Sequence, residues 1–574
     1  MNDTAKAEQD RAALAAVEGK GLGVKLGLYT RLSGPGWLQS AITLGGGSLG
    51  GSLYIGVIGG YDMLWLQPIM MILGIVMLSA IAYVTLSTGE KPFHAINQHV
   101  NPVLGWGWLI AAMIANLVWA MPQFSLGTAA MKQNLGIPLS DELCALVLFI
   151  IAGVVIWFYD AGGWGIKLFE IVLKVMVGLV VLAFFGVVAA LTFKGALPWG
   201  SVLSGYVPDF SLLSQPAAEL RPYIAQSTDP DYWNHKIVDI QRNTMIAAAA
   251  AAVGINMTFL LPYSMLRKGW DKTFRGLATF DLSTGLFIPF VLATSCVVIA
   301  AASQFHAQAD PALWGDGETT AVTEKLQSGY DKNIEAFLAT PKAHVIGQVK
   351  PGGPDITKGS SVRLPESINL ADKQLAAMTI KSDAFALAGS LENVTGSAAV
   401  AQVIFGLGVL GMAVSTIIIL MLINGFTFTE ALGVKTSGPM HRIGSFLPGI
   451  TGALGFLLLW SNPDFPKFWL VIPTSRIGMM LLPIAYITFL LMMNNKKLMG
   501  QNMLTGGKRV AMNLIMFIAT AVATFGCLMS IWQTKDKVPG TELAARPYVI
   551  GVFAAFIVLA LVVQVVRKPK ETAG

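Results

Sequence analysis

The chain is poor in charge. Of its 574 residues, 13% are Asp, Glu, Lys or Arg, 54% are hydrophobic, and the mean hydropathy is +0.62. Soluble domains carry roughly 25% charged residues, so this composition excludes a soluble fold. We predict an all-α polytopic membrane protein with about twelve transmembrane helices. The apolar runs long enough to cross a bilayer lie near residues 34–58, 63–87, 103–131, 142–159, 170–193, 244–266, 276–302, 398–424, 443–460, 468–493, 510–532 and 546–566.

Cysteine is also scarce. The three cysteines, Cys144, Cys296 and Cys527, lie in separate apolar runs, where we expect them to pack against neighbours rather than to form disulfides or bind metal. Neither a metalloprotease motif nor a Gly-x-Ser-x-Gly pattern lies where it could act. We therefore expect no enzyme, no catalytic residue and no cofactor. The first thirty residues are polar and charged, which predicts no cleavable signal peptide.

Positive charges collect on one side of the predicted membrane. Because cytoplasmic segments are enriched in Lys and Arg, we place both termini in the cytoplasm of a multi-pass plasma (bacterial inner) membrane. The net charge of +6 reflects this bias, so the expected partner is the lipid bilayer and not nucleic acid. The clusters are Lys6, Arg11, Lys20, Lys25 and Arg31; Arg267, Lys268, Lys272 and Arg275; Lys496, Lys497, Lys508 and Arg509; and Arg567, Lys568 and Lys570.

Glycine, by contrast, is abundant where a membrane helix tolerates it least. The first apolar run reads GPGWLQSAITLGGGSLGGSLYIGVIGGY over residues 34–61. Glycines weaken a helix and expose its backbone polar groups, which at membrane depth is tolerated only beside protein or a water-filled cavity. Transporters bind substrate at such interruptions. The cluster therefore predicts an unwound break over residues 43–52, with Gly45-Gly46-Gly47-Ser48 at its centre.

A second interruption occurs in the corresponding position of the second half. There Gly254 and Pro262 enclose the polar residues Asn256 and Thr258 in an otherwise apolar span, and proline removes a helical hydrogen bond. Two groups of five spans, each opening with an interrupted helix, have opposite topologies, as in the inverted repeats of secondary transporters.

This plan divides the chain into segments. The two repeats are flanked by short terminal segments and separated by polar stretches. The longer stretch is an insertion in the second repeat, either a lid over the outer vestibule or an inert insertion. The predicted segments are a cytoplasmic amino-terminal segment 1–33, repeats 34–193 and 244–493, an extracytoplasmic loop 194–243, an extracytoplasmic insertion 303–397, two additional helices in 494–566 and a cytoplasmic tail 567–574.

The order of several short motifs resembles the Nramp family of proton-coupled divalent-metal transporters, which have the LeuT fold. The motifs run in order along the chain and leave out the two polar stretches. They are Gly34-Pro35-Gly36, Gly47, Gly51 and Leu64-Trp65; Leu126-Gly127-Thr128-Ala129; Lys167-Leu168-Phe169-Glu170; Phe280-Asp281; Ser415-Thr416; and Leu482-Pro483 with Asn495-Lys496-Lys497-Leu498-Met499-Gly500.

The family's metal ligands do not carry over. The resemblance implies an Asp-Pro-Gly-Asn break in the first span, where this chain has Gly45-Gly46-Gly47-Ser48, and a Met-Pro-His in the sixth, which aligns with Thr258-Phe259-Leu260. The comparison therefore indicates a site without the family's carboxylate or thioether. Further departures are Met265 at the family's second histidine, Met121 and Phe124 at carboxylates of its proton route, and Ala413 at its eighth-span glutamine.

These observations favour a secondary transporter that moves a small ion or polar solute by alternating access, coupled to H⁺ or Na⁺ if it is coupled. We expect no metal ligands of the usual kind, because a dehydrated divalent ion needs compensating charge. Two alternatives stay open: a divalent-cation carrier, for a Mg²⁺-like ion or for Mn²⁺ or Fe²⁺, and a channel or transport-dead sensor. The predicted substrate-binding residues are Thr43, Gly45, Gly46, Gly47, Ser48, Ile255, Asn256 and Thr258.

The glycines have a second interpretation. Gly46 with Gly50, and Gly47 with Gly51, have the small-xxx-small spacing that permits close helix contact without any binding role. Ionisable residues inside spans are functional candidates by default. Asp281 in the seventh span and Glu170 near the start of the fifth are therefore the candidates for a proton relay, with structural pairing as the alternative for each.

Overall fold

The computed structural model describes residues 3–161, 164–314, 316–319, 321–340, 368–380, 398–460, 471–534 and 543–566. These residues form helices and their connections. Twelve successive spans follow the predicted order. Their bounds are Pro35–Thr43 with Gly46–Gly59, Leu66–Thr88, Pro102–Ala129, Asp141–Ala161, Trp164–Phe193, Pro230–Ala252 with Ile255–Arg267, Arg275–Asp281 continuing through Leu282–Phe287 to Ile288–Phe305, Ala398–Ala431, Pro439–Trp460, Val471–Met493, Gly506–Trp532 and Ala545–Val566.

The helices have the length and apolar character of membrane spans. Among the described residues, ten are individually long and apolar enough to cross a bilayer, and the bent pair in the first span adds an eleventh. Pro439–Trp460, at the place of the predicted span 443–460, packs against the third, fourth and eighth spans. The prediction of an all-α polytopic membrane protein is confirmed. The sixth span differs from expectation, because its helix begins at Pro230, inside the stretch 194–243 that we predicted to be a loop.

Burial separates central helices from peripheral ones. In the sixth span, 94% of the most apolar window is buried inside the protein, and in the seventh and eighth spans the share is 78%. The corresponding share is 33% for Gly506–Trp532 and 0% for Ala545–Val566. The two additional helices therefore lie at the periphery, Gly506–Trp532 against the tenth span, and the first, third, sixth, eighth and tenth spans pack around one another at the centre.

Two polar segments that follow the fifth and seventh spans join into one small domain, which we call the cap. A buried carboxylate holds them together: Asp372 accepts hydrogen bonds from Trp233 Nε1 at 2.7 Å and from the Thr228 backbone N–H at 3.1 Å. The Phe337 ring also stacks on Trp233, with a centroid distance of 5.4 Å. The cap consists of Trp199–Ser204, Phe210–Leu213, Ala218–Leu220, Arg221–Gln226, Ala321–Leu338 and Leu370–Met378.

The cap accounts for part of the insertion 303–397. Its described helices pack on the preceding segment and on the start of the sixth span, whereas 341–367 and 381–397 lie outside the described residues. The expectation that this insertion covers an outer vestibule stays a prediction.

One histidine ties the cap to the membrane helices. His306 follows the seventh span; its Nδ1 lies 3.0 Å from the Val57 carbonyl oxygen of the first span, and its Nε2 lies 3.3 Å from Glu219 Oε2 in the cap. Both partners accept hydrogen bonds, so the ring donates from both nitrogens when it is protonated. This hydrogen bond to His306 lowers the pKa of Glu219 below the ordinary carboxyl value.

We expect Asp372→Ala to destabilise the cap. The substitution leaves the buried Trp233 indole N–H and the Thr228 N–H without an acceptor, at a cost of about 1–3 kcal/mol for each group. Faster hydrogen exchange in Leu370–Met378 and at the start of the sixth span would report the effect. Asp316→Ala, at an exposed cap-side position, is the control. Exchange at wild-type rates in Asp372→Ala would contradict this role for the carboxylate.

The Glu219–His306 pair predicts a modest dependence of stability on pH. Because the folded-state pKa of Glu219 is lowered, its stabilising contribution is present above the unfolded carboxyl pKa and is lost as the pH falls through the folded value. Glu219 is half exposed, so the contribution is on the order of 0.2–1 kcal/mol. Melting curves should show Glu219→Gln less stable than wild type at pH 6–7, with the difference closing only as the pH falls below about 4, the intrinsic carboxyl range. Glu318→Gln should show no such convergence.

Candidate functional site

The first span is interrupted at a narrower place than predicted. Its first helix ends at Thr43, and Gly45 is extended, with φ −118° and ψ −173°. The second helix already begins at Gly46, and the two halves are bent by 56°. Gly47 and Ser48 are therefore helical, which corrects the expectation that all of 45–48 is unwound. The Ser48 hydroxyl spans the gap by donating to the Thr43 carbonyl oxygen.

The interruption in the sixth span is also short. The helix Pro230–Ala252 gives way to extended backbone at Val253 and Gly254, and helix resumes at Ile255. Pro262 lies inside the helix Ile255–Arg267, so the predicted interruption from Gly254 to Pro262 is wrong in its second part. A proline removes one helical hydrogen bond, and here that loss does not end the helix.

The two breaks lie side by side, and Met257 joins them. Its Sδ lies 3.1 Å from Thr43 Oγ1 and 3.4 Å from the Gly254 backbone nitrogen. One turn earlier in the first span, Gln39 Nε2 donates to the Met257 carbonyl oxygen at 3.3 Å. The expectation that the site lacks a thioether is therefore wrong. The motif comparison placed the family's methionine on Thr258, one residue after the sulfur that reaches the breaks.

The other predicted residues of the sixth span occupy different surroundings. Thr258 faces the third span, where its hydroxyl accepts a hydrogen bond from Trp108 Nε1 at 2.8 Å and donates to the Ile255 carbonyl oxygen. Asn256 uses Oδ1 to accept the Met257 N–H at 2.9 Å, and its Nδ2 has no hydrogen-bond partner. Asn256 therefore stays available to a ligand, whereas the hydroxyl of Thr258 is already engaged.

The glycines of the first span bring neighbouring helices very close. A Cβ on Gly45 would lie 2.4 Å from Thr416 Oγ1, and one on Gly47 would lie 3.3 Å from the Trp119 ring. The Gly46 N–H, which we expected to face cargo, donates instead to Gln123 Oε1 at 2.9 Å. The close-packing interpretation of the glycines therefore has direct structural support beside the break itself. Gln123 is a residue that sequence reasoning missed.

The side chains that contact the breaks are neutral. Within the described ranges, no group of three or more His, Cys, Asp or Glu residues could hold a metal ion. What the site offers is hydroxyl, carboxamide and thioether groups. Several polar atoms of the two broken spans are buried without a hydrogen-bond partner: Gln39 Oε1, Ser40 Oγ and Asn256 Nδ2.

Asp281 lies away from the breaks, at the beginning of the first span. Its carboxylate accepts hydrogen bonds from the Gly34 N–H at 3.1 Å and from the Gly36 N–H at 2.7 Å. A carboxylate at this position also suits the partial positive charge of a helix amino terminus. Asp281 therefore anchors the first span to the seventh, and its relay role stays a prediction. The side chain of Glu170 lies outside the described part of the structure.

The bundle and its paired breaks define a membrane protein of the LeuT type. The chain belongs to the Nramp family, since the family model "Natural resistance-associated macrophage protein-like" matches residues 36–329 and 368–533. The resemblance noted in the sequence is thus confirmed.

Solved structures of a manganese transporter from Eremococcus coleocola have a similar fold. A histidine-to-alanine mutant of that protein has 12% identity and a TM-score of 0.63, covering 94% of this chain and 95% of that one. Its complex with an aromatic bis-isothiourea substituted compound has 11% identity and a TM-score of 0.62, covering 93% of each chain. No curated protein matches the chain by sequence.

We expect Gly36→Ala to be strongly destabilising. The added Cβ would lie 2.2 Å from the Asp281 backbone oxygen, so the first and seventh spans would have to separate, at a cost of about 1–3 kcal/mol or more. Gly23→Ala, in a helix with nothing within 4 Å of the new Cβ, is the matched control. The check is thermal melting in detergent, and equal melting temperatures for the two variants would disprove the close contact.

Proposed function

We propose that this protein is a secondary transporter that moves a small ion or similarly small polar solute across the membrane by alternating access. The cargo binds where the first and sixth spans are interrupted. The observation that carries the proposal is the contact of Met257 with both breaks. Membership of the Nramp family supports transport, and the related solved structures are those of a manganese transporter.

The chemistry of the breaks favours a cation that keeps part of its water. Thr43, Asn256 and Gln39 provide neutral oxygen and nitrogen atoms, and the described residues add no carboxylate cluster. A fully dehydrated divalent ion would lack compensating charge there. Mg²⁺ dehydrates reluctantly and usually retains several waters, so a Mg²⁺-like ion fits such a lining.

A second candidate cargo follows from Met257. Thioether sulfur is a soft ligand that favours transition metals over Mg²⁺, so Mn²⁺ or Fe²⁺ would gain a contact that Mg²⁺ would not use. Anionic or zwitterionic solutes form a third class, because the helices that begin at Gly46 and Ile255 direct partial positive charge towards the breaks.

The proposal also covers the orientation in the membrane, the two repeats and the coupling ion. We place both termini in the cytoplasm of a bacterial inner membrane, with inverted repeats at 34–193 and 244–493. If transport is coupled, H⁺ or Na⁺ is the coupling ion. The family's proton-route positions align with the apolar residues Met121 and Phe124, so Asp281 is the proposed relay. The competing function is a channel or a sensor that does not transport.

Proteoliposome flux tests the function. With a panel of Mg²⁺, Mn²⁺, Na⁺ and glycine, a carrier gives saturable uptake, whereas a channel gives a current proportional to voltage. Saturable uptake of at least one panel member is the expected result. Ohmic current, or no flux of any panel member, would reject the proposal.

We expect Gly47→Leu to reduce uptake at least tenfold. A Cβ on Gly47 would already lie 3.5 Å from the Ala251 Cβ, and a leucine side chain would push against Ala251 and the Trp119 ring. The first and sixth spans would then be displaced from each other where their breaks are in contact. Gly186→Leu in the fifth span, where nothing lies within 4 Å, is the control and should transport normally. Normal uptake by Gly47→Leu would exclude this site.

We expect Met257→Leu to separate the two metal candidates. The substitution keeps volume and removes sulfur, so Mg²⁺ uptake should stay within about twofold while any Mn²⁺ uptake falls at least tenfold, because only the softer ion gains from a thioether. Met265→Leu, a fully buried methionine further along the same helix, controls for loss of packing. Equal effects on the uptake of both ions would show that the Met257 thioether does not determine selectivity between them.

A further inference from the structure

One polar side chain of the third span has no structural partner. Asn116 is fully buried, and neither its Oδ1 nor its Nδ2 makes a hydrogen bond. A carboxamide can donate two hydrogen bonds and accept two, so burying it with none made carries a free-energy penalty. Buried polar groups of this kind call for an explanation, and a ligand or ordered water is one.

The register of the third span places Asn116 on the helix face that meets the two broken spans, one turn from Trp119, whose ring lies against Gly47. Trp108 of this helix bonds Thr258 of the sixth span, and Gln123 bonds the Gly46 N–H of the first span. Asn116 lies between these two anchors, about 10 Å along the helix axis from Gln123 and about 12 Å from Trp108 at 1.5 Å per residue. Seven residues make nearly two turns, so Asn116 and Gln123 share one helix face.

Two further carboxamides near the breaks are only partly satisfied. Gln39 uses Nε2 on the Met257 carbonyl oxygen, which leaves its Oε1 unpaired, and Asn256 uses Oδ1 on a backbone N–H, which leaves its Nδ2 unpaired. Gln39, Asn116 and Asn256 come from the first, third and sixth spans. Three helices thus contribute uncharged carboxamides with unused hydrogen-bonding capacity to the same region.

We propose that Asn116 contacts the transported cargo and sets the affinity for it, with Gln39 and Asn256 completing a neutral carboxamide lining. This inference rests on the proposed transport function. A carboxamide oxygen accepts hydrogen bonds from the water carried by a cation, and the whole group pairs with a polar solute that both donates and accepts. Through Asn116 the third span would line a binding site that is otherwise formed by the first and sixth spans.

Asn116→Leu is the decisive variant, because it removes the amide and keeps similar volume. If Asn116 serves the cargo, the variant should fold with equal or higher melting temperature than wild type, since an unsatisfied polar group is lost. Its KM for the panel member that wild type takes up should rise at least tenfold. Asn116→Gln, which keeps the carboxamide, should recover part of the affinity.

Asn424→Leu supplies the matched control. Asn424 is also a fully buried asparagine in a span, but its Nδ2 donates to the Gly444 carbonyl oxygen at 2.7 Å between the eighth and ninth spans. Its replacement should lower the melting temperature and leave KM unchanged. We thus expect Asn116→Leu to keep its stability and lose affinity, and Asn424→Leu to lose stability and keep its affinity.

The uptake and melting measurements distinguish a failure of the proposed role of Asn116 from a failure of the proposed transport function. Wild-type uptake combined with an unchanged KM in Asn116→Leu would overturn the inference alone. A loss of stability in Asn116→Leu as large as in Asn424→Leu would also overturn it, because Asn116 would then be structural. No saturable uptake by wild type of Mg²⁺, Mn²⁺, Na⁺ or glycine would overturn the proposed function and this inference with it.

Discussion

Backbone polar groups at the helix breaks need hydrogen-bond partners inside a membrane, and the rest of the structure depends on meeting that need. Water is absent from the bilayer core, so an interrupted helix is tolerated only where other protein groups cover it. Here side chains do so: Gln123 of the third span accepts the Gly46 N–H, and the Ser48 hydroxyl donates to the Thr43 carbonyl oxygen. At the start of the first span, Asp281 accepts two further N–H groups.

Glycine makes this arrangement possible sterically. Because Gly45 and Gly36 have no Cβ, Thr416 and the backbone of Asp281 approach positions that any other residue would occupy. The two early interpretations of the glycines, a break and close packing, therefore describe one structure. The chain unwinds at Gly45 and packs tightly on either side of it.

The side chains seen in contact with the two breaks are neutral. Among the described residues these contacts come from hydroxyl, carboxamide and thioether groups, and the Asp281 carboxylate lies at the start of the first span, away from the breaks. A neutral lining lowers the penalty for releasing cargo, but it cannot replace the whole hydration shell of a doubly charged ion. For that reason the cargo we propose is a partly hydrated cation or a polar solute.

The sequence by itself determined the number and order of the spans, the class of fold and the existence of both breaks, because apolar length and glycine or proline content act locally along the chain. Only the tertiary structure decided which atoms face the breaks. Met257 rather than Thr258 reaches Thr43, Pro262 stays helical, and Asn116 is left unpaired. The physical reason is that a shift of one residue turns a side chain about 100° around a helix, and only the packing of neighbouring helices fixes that rotation.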